Sequence, residues 1–305
     1  MKLKLRSKVV ENIDPSDITS KAVLCSLMTK CWGNTKKIPI ESMKKITNKE
    51  FSKRIRSNKG LIDKEALSDI NSLITKARNV IKSYSLPFPI DGIFLIPKSL
   101  VVKLNEELNE VISKLKPAVD EFVSSYDEFI EEARGELEEF FNEGDYPTDI
   151  GSKFDIQYKF VELGVPSSLS EFSPDIYQQE VNKLKETFTE TRNECILFLR
   201  KAFVAELKDV LSAFTEENED GKKRILRQDT LNKVEKFFES FQSKNIFDDK
   251  ELMNIIKTSK DILTGFDAKD LRNNDVLREA IGDELSKVAK EAEKSVIAFS
   301  RRITL

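Results

Sequence analysis

Twelve apolar residues from Leu100 to Phe140, among them Leu104, Leu108, Val111, Leu115, Phe122, Tyr126, Phe129 and Leu137, return at steps of three and four. That period is the one of a nearly straight amphipathic helix, and it supplies a single stripe that something must cover. A stripe of similar length follows from Asp175 to about Thr215 through Val181, Leu184, Phe188, Cys195, Phe198, Ala202, Leu207, Val210 and Phe214. The plainest expectation is a mainly all-α chain built on an elongated, antiparallel, coiled-coil-like hairpin of these two helices. Residues 145–174 form an insertion at its tip. Pro117, inside the first stripe, predicts a kink or break near Ser113 to Lys116.

Composition supports helix by exclusion. Of 305 residues, 34% are charged and only 39% apolar, the balance of helices that bury a narrow face and solvate the rest; ten glycines and nine prolines are too few for a turn-rich β architecture. The length exceeds what one compact helical core usually fills. The expected organisation is a basic helical region over 1–97, the hairpin over 98–218, and a C-terminal helical bundle over 219–305.

Ile18, Ala22, Val23, Leu24, Leu27, Met28 and Trp32 read as a short amphipathic helix, with Asp17 or Thr19 as its cap and Gly33 at its end. Residues 61–84 read as a second helix, stopped by Leu86-Pro87-Phe88-Pro89. A turn-and-strand piece follows at 91–97. The segment Lys153–Phe160 alternates strictly, so Phe154, Ile156, Tyr158 and Phe160 share one face of a strand. A lone strand is unstable and must pair, with Ile93–Ile96 or with a partner chain. Beyond the polar linker Glu216–Lys223, helices are expected over about 225–243, 248–263 and 268–301, with Asp249 and Asp267 at caps.

The sequence carries no phosphate-cradling loop, dinucleotide fingerprint or nucleophile elbow. Histidine is absent, which removes the commonest proton-transfer group and metal ligand. Cys25, Cys31 and Cys195 form no metal-spaced pair and point to a reducing compartment. Glu131-Glu132 and Glu138-Glu139 have the oxygen chemistry of a Mg²⁺ site but read better as a solvated helix face. No catalytic residue, metal or cofactor is expected, and the chain reads as a non-enzyme. No stretch approaches the ~20 apolar residues of a membrane span, so a cytoplasmic protein of a bacterial host cell is expected.

Charge is unevenly spread. Residues 1–60 hold fifteen Lys or Arg against five Asp or Glu, whereas twelve acids between Val119 and Ile150 face Arg134 alone. Such a dipole can orient partners or copies of the chain. Two sets of candidate contacts follow. Lys44, Lys45, Lys49, Lys53, Arg54 and Arg56 could meet an anionic partner, nucleic acid included. Phe154, Ile156, Tyr158 and Phe160 could meet a protein partner's sheet. Trp32 reads as a core anchor.

Several stretches, taken in order, carry a likeness: Ile18-Thr19-Ser20-Lys21-Ala22-Val23-Leu24, Leu86-Pro87-Phe88 with Leu95-Ile96-Pro97, Phe140-Phe141-Asn142 with Asp145-Tyr146-Pro147, Lys153-Phe154 onward to Val165-Pro166, and Leu271-Arg272-Asn273. Together they resemble the phage and bacterial family catalogued as domain of unknown function 3150, over nearly the whole chain. Phe88 departs from the Trp expected after Leu-Pro. The resemblance implies a phage or mobile-element gene, often beside one for a MoxR-like AAA+ ATPase; it implies no activity and no functional residue. The reading is an interaction or assembly protein whose partner is an AAA+ ATPase or a second copy. A nucleic-acid-binding accessory of phage replication, recombination or defence is the alternative, and a helical pore-former the third.

Overall fold

The computed structural model of the chain describes residues 14–47, 54–215 and 225–303, the side chains of 45–47, 233 and 234 excepted. In chain order the elements are α1 (Pro15–Thr19), β1 (Ala22–Lys30), β2 (Thr35–Lys37), α2 (Ile40–Thr47), β3 (Asn58–Gly60), α3 (Ser68–Tyr84), β4 (Ile93–Pro97), α4 (Val101–Ser124), α5 (Tyr126–Leu137), β5 (Asp155–Val161), α6 (Ser168–Phe172), α7 (Pro174–Thr215), α8 (Gln228–Lys244), α9 (Lys250–Leu263), α10 (Ala268–Asn273) and α11 (Asp275–Ile303). The described chain is mainly helical with two small sheets. It divides into two compact units, one of residues 1–24, 85–100 and 162–305, the other of 25–84 and 101–161.

Residues 18–32 do not form the single helix that their apolar spacing predicts. The apolar run expected as a helix is β1, the middle strand of a sheet ordered β4-β1-β5. Ala22, Leu24 and Cys25 are buried, and burial on both faces erases the alternation that marks a half-exposed strand. The short α1 precedes it, capped by Asp14 rather than by Asp17 or Thr19.

In the first unit α7 is the organising element. Phe188, Cys195, Leu199, Phe203, Leu207, Val210 and Phe214 are buried at helical spacing. They meet Leu285, Val288, Ala289 and Ala292 of α11, with Phe241 of α8 and Leu252, Ile255 and Ile256 of α9 closing the same core. Gly282 of α11 faces Phe214, and a Cβ there would stand 3.6 Å from the Phe214 Cβ, an ordinary van der Waals contact. In the second unit α4 packs along α3 and receives β5. The hairpin expected between the two long stripes is thus replaced by separate pairings, α7 with α11 and α4 with α3. Periodicity reveals which face is buried and leaves its partner open.

Pro117 does not break α4. It lies on the exposed side, as does Ser113 four residues earlier, while Leu115 and Val119 on either side of it are buried. The break falls instead at Ser125, whose φ of -104° and ψ of 4° end α4 and start α5. Further on, Asp249 accepts from the Leu252 N–H to cap α9, and Asp267 with Asp270 makes a capping box on α10. The last helix expected as one piece, 268–301, is two, parted at Asn274.

One charged group sits inside the first core. Arg200 of α7, 3% exposed, donates from Nε and Nη2 to the two carboxylate oxygens of Asp249 at 2.7 and 2.8 Å. It also donates to Glu251 Oε2 at 2.8 Å and to the Ser295 carbonyl at 3.0 Å, and its guanidinium lies 4.9 Å from the Phe299 ring centre. Burial opposes the charge on Arg200, and its bonds to the Asp249 and Glu251 carboxylates outweigh it, so its pKa is raised. Asp249→Ala would strand the guanidinium and remove the α9 cap, and we expect it to cost about 3–5 kcal/mol in urea denaturation. Glu251→Ala, at a half-exposed carboxylate, should cost under about 1 kcal/mol. Equal effects of the two would refute this division of roles.

Candidate functional site

The segment that follows α5 is tied down before it can form β5. Lys59 of β3, 8% exposed, reaches Asp145 at 2.7 Å and donates to the Phe140 carbonyl. Tyr146 donates to the Leu61 carbonyl at 2.8 Å, and Phe141 stacks on it with Arg134 over the other ring. β3 is held on its other side by antiparallel pairing with β2, Lys36 opposite Lys59, and Asn34 exchanges two hydrogen bonds with Ile62 at the end of the ladder.

β5 then runs with β1 as its one sheet neighbour among the described residues. Its outer edge therefore carries N–H and C=O groups that no strand pairs. The alternating face is graded along its length. Phe154 and Ile156 are buried, Phe154 meeting Phe122 edge-on. Tyr158 is half-buried and donates to Asn105 at 2.5 Å, with Asn109 3.2 Å away. Phe160 is 44% exposed and Val161 38%. Of the four residues singled out on this strand, Phe160 is the one that faces outward.

Beside the start of β5, α4 and the beginning of α5 form one wall of a groove of about 720 Å³, and residues 148–156 form the other. Its apolar lining includes Val119, Ile150, Phe154 and Ile156, all buried, and Val123, which is exposed. Asp120, Asp127, Asp149 and Asp155 also line it. Lys116 pairs with Asp120 at 2.9 Å, Asp149 accepts from the Ser152 N–H and Asp155 from Gln157. Tyr126 lines the groove too. It is 5% exposed, packs against Phe122 and edge-on to Trp32, and its hydroxyl has no hydrogen-bond partner among the described residues. Burial, with Tyr146 and Asp127 nearby, pushes its pKa up to about 12. Sequence reading missed this groove because its walls lie some thirty residues apart.

The basic candidates are partly scattered. Lys44 is half-buried on α2 and Lys45 lies on the same helix; Lys49 and Lys53 fall outside the described residues. Arg54 and Arg56 are exposed just ahead of β3. The β2-β3 ladder sets Lys36 and Lys37, also exposed, beside that approach, with Ile38 bonded to the Ser57 carbonyl. Among the described residues no three His, Cys, Asp or Glu come together as metal ligands, and the three cysteines are unbridged, Cys25 and Cys195 buried and Cys31 exposed.

The model of a family described as a protein of unknown function, DUF3150, matches residues 19–235. This chain belongs to the DUF3150 family. No curated protein and no solved structure matches it. The stretches that carried the DUF3150 resemblance now have physical roles. Leu86 bridges to Leu95, the Pro87 carbonyl accepts from Cys195, Phe88 meets Phe188 edge-on, and Asp145-Tyr146 anchors to β3. Leu271-Arg272-Asn273 lies beyond the matched residues.

An unpartnered buried hydroxyl lowers stability relative to a shape-matched apolar group. Tyr126→Phe is therefore expected to raise the unfolding free energy by about 1 kcal/mol, seen as a higher urea midpoint. A lower midpoint would show that the hydroxyl is satisfied in solution.

Proposed function

We propose that the chain is a non-enzymatic interaction and assembly protein, an adaptor or subunit that docks a protein partner through the open edge of β5. The observation that carries this reading is the exposure of Phe160 and Val161 on a strand whose outer edge no other strand among the described residues pairs, the arrangement that strand addition uses. Main-chain pairing supplies affinity there and the exposed aromatic supplies an anchor. The family resemblance, with genes that often stand beside those of MoxR-like AAA+ ATPases, supports such an ATPase as the partner, with a second copy of the chain as the other occupant. The bacterial cytoplasm is the compartment proposed, and phage or mobile-element genes the setting. No helix among the described residues is long and apolar enough to cross a membrane, so the pore-forming alternative draws no support from them.

Co-purification of the tagged chain with its neighbouring gene products, read by mass spectrometry, tests this. Recovery of the ATPase is expected, falling about tenfold with Phe160→Asp while the circular dichroism of the variant stays that of the parent. Undiminished recovery with the variant would sink the β5 edge as the docking face.

A second reading, nucleic-acid binding, is favoured by the exposed Lys36, Lys37, Arg54 and Arg56 around the β2-β3 ladder. On this reading the full chain shifts DNA or RNA in a gel, and the shift weakens with salt. Arg54→Ala with Arg56→Ala should reduce the slope of log affinity against log salt by about 1–2. A shift that salt leaves unchanged would dispose of it.

A further inference from the structure

We infer that the groove between α4 and residues 148–156 docks an extended segment of a partner protein in which Lys or Arg alternates with apolar residues. This deepens the interaction-protein reading, and rests on it, by naming the chemistry of a partner segment.

Two observations select that occupant. First, the lining is two-natured. Val123, 43% exposed, carries the open part of an apolar lining whose floor is the buried Val119, Ile150, Phe154 and Ile156, and four carboxylates share the same groove. An extended segment presents alternate side chains to opposite sides, so one of period two can set its apolar residues against the first and its cations against the second. Second, the charge is one-sided. Lys116 pairs with Asp120, while Asp127, Asp149 and Asp155 make no ion pair among the described residues. A nucleic acid is repelled by such a lining. A cation site needs converging oxygens, and no such cluster is formed. The volume of 720 Å³ lies within the range of about 300–1,000 Å³ found for ligand sites.

The test is fluorescence anisotropy of the full chain with a labelled octapeptide of alternating Lys and Leu. Saturable binding is expected, weakened about fivefold or more by Asp127→Asn combined with Asp149→Asn, changes that keep side-chain shape and the bond from Ser152. Glu121→Gln with Glu128→Gln removes the same charge from exposed acids outside the groove and should leave the affinity within about twofold. An alternating Lys-Ser octapeptide should bind about tenfold more weakly, for want of the apolar half. Absence of saturable binding, equal loss in the two paired variants, or equal affinity for the two peptides overturns the inference. If the peptide fails while the ATPase still co-purifies through the β5 edge, the groove falls and the interaction reading stands. If the peptide binds as expected and Phe160→Asp changes nothing, the β5 edge falls instead.

Discussion

The burial of one face of α7 is the constraint on which the first unit depends. A chain with 34% charged residues has little apolar surface to spend, and here much of it is strung along a single helix. α11, α9 and α8 cover that face, so none of the shorter helices has a core apart from it. Arg200 sits within this apolar face, between Leu199 and Phe203. Its charge is tolerable only where Asp249, Glu251 and the Ser295 carbonyl converge on it, which requires α7, α9 and α11 to meet in one register. Slippage by one turn would leave apolar contacts of similar area but strand a guanidinium. The apolar stripe thus supplies the cohesion and the clasp supplies the register.

The second unit uses the same division of labour at smaller scale. Leu104, Leu108, Val111 and Leu115 of α4 bury against their neighbours, while Lys59 with Asp145 and Tyr146 with the Leu61 carbonyl fix where the chain after α5 turns back. One side of each of those contacts, Asp145 and Tyr146, falls in a stretch that carries the DUF3150 likeness. A family resemblance built on such positions marks where the fold is pinned, and it is silent about chemistry for that reason.

How far the sequence discloses this fold depends on the periodicity of each element. The long stripes and the caps at Asp249 and Asp267 are legible because a 3.6 period and an Asx side chain at a helix start are local signals. β5 is legible because its first turns of alternation are half-buried. β1 is not, since its first half, Ala22 to Cys25, is covered on both sides, loses its alternation and reads as any short apolar run. The break at Ser125 is hidden as well: the stripe passes through Phe122, Tyr126 and Phe129 without losing phase, and Pro117 draws attention to the wrong turn. The groove has no local signature. Its one trace in the sequence is the placing of Asp120, Asp127, Asp149 and Asp155 next to apolar residues in segments that only the tertiary fold brings together.

The acidic stretch itself is more than the fold requires. Asp145 is used by Lys59, Asp120 by Lys116, and Glu131 and Glu143 share Arg134. Against these, Glu128, Glu132 and Glu136 follow one another at four-residue steps on α5, where like charges repel. The acids near the start of α5 gain a little from the helix dipole, and those toward its end lose by it. Folding alone therefore leaves this face with unfavourable electrostatics that a cationic neighbour would relieve. A basic partner gains twice on such a surface, from its own attraction and from the repulsion it quenches, and both gains fade as salt screens them.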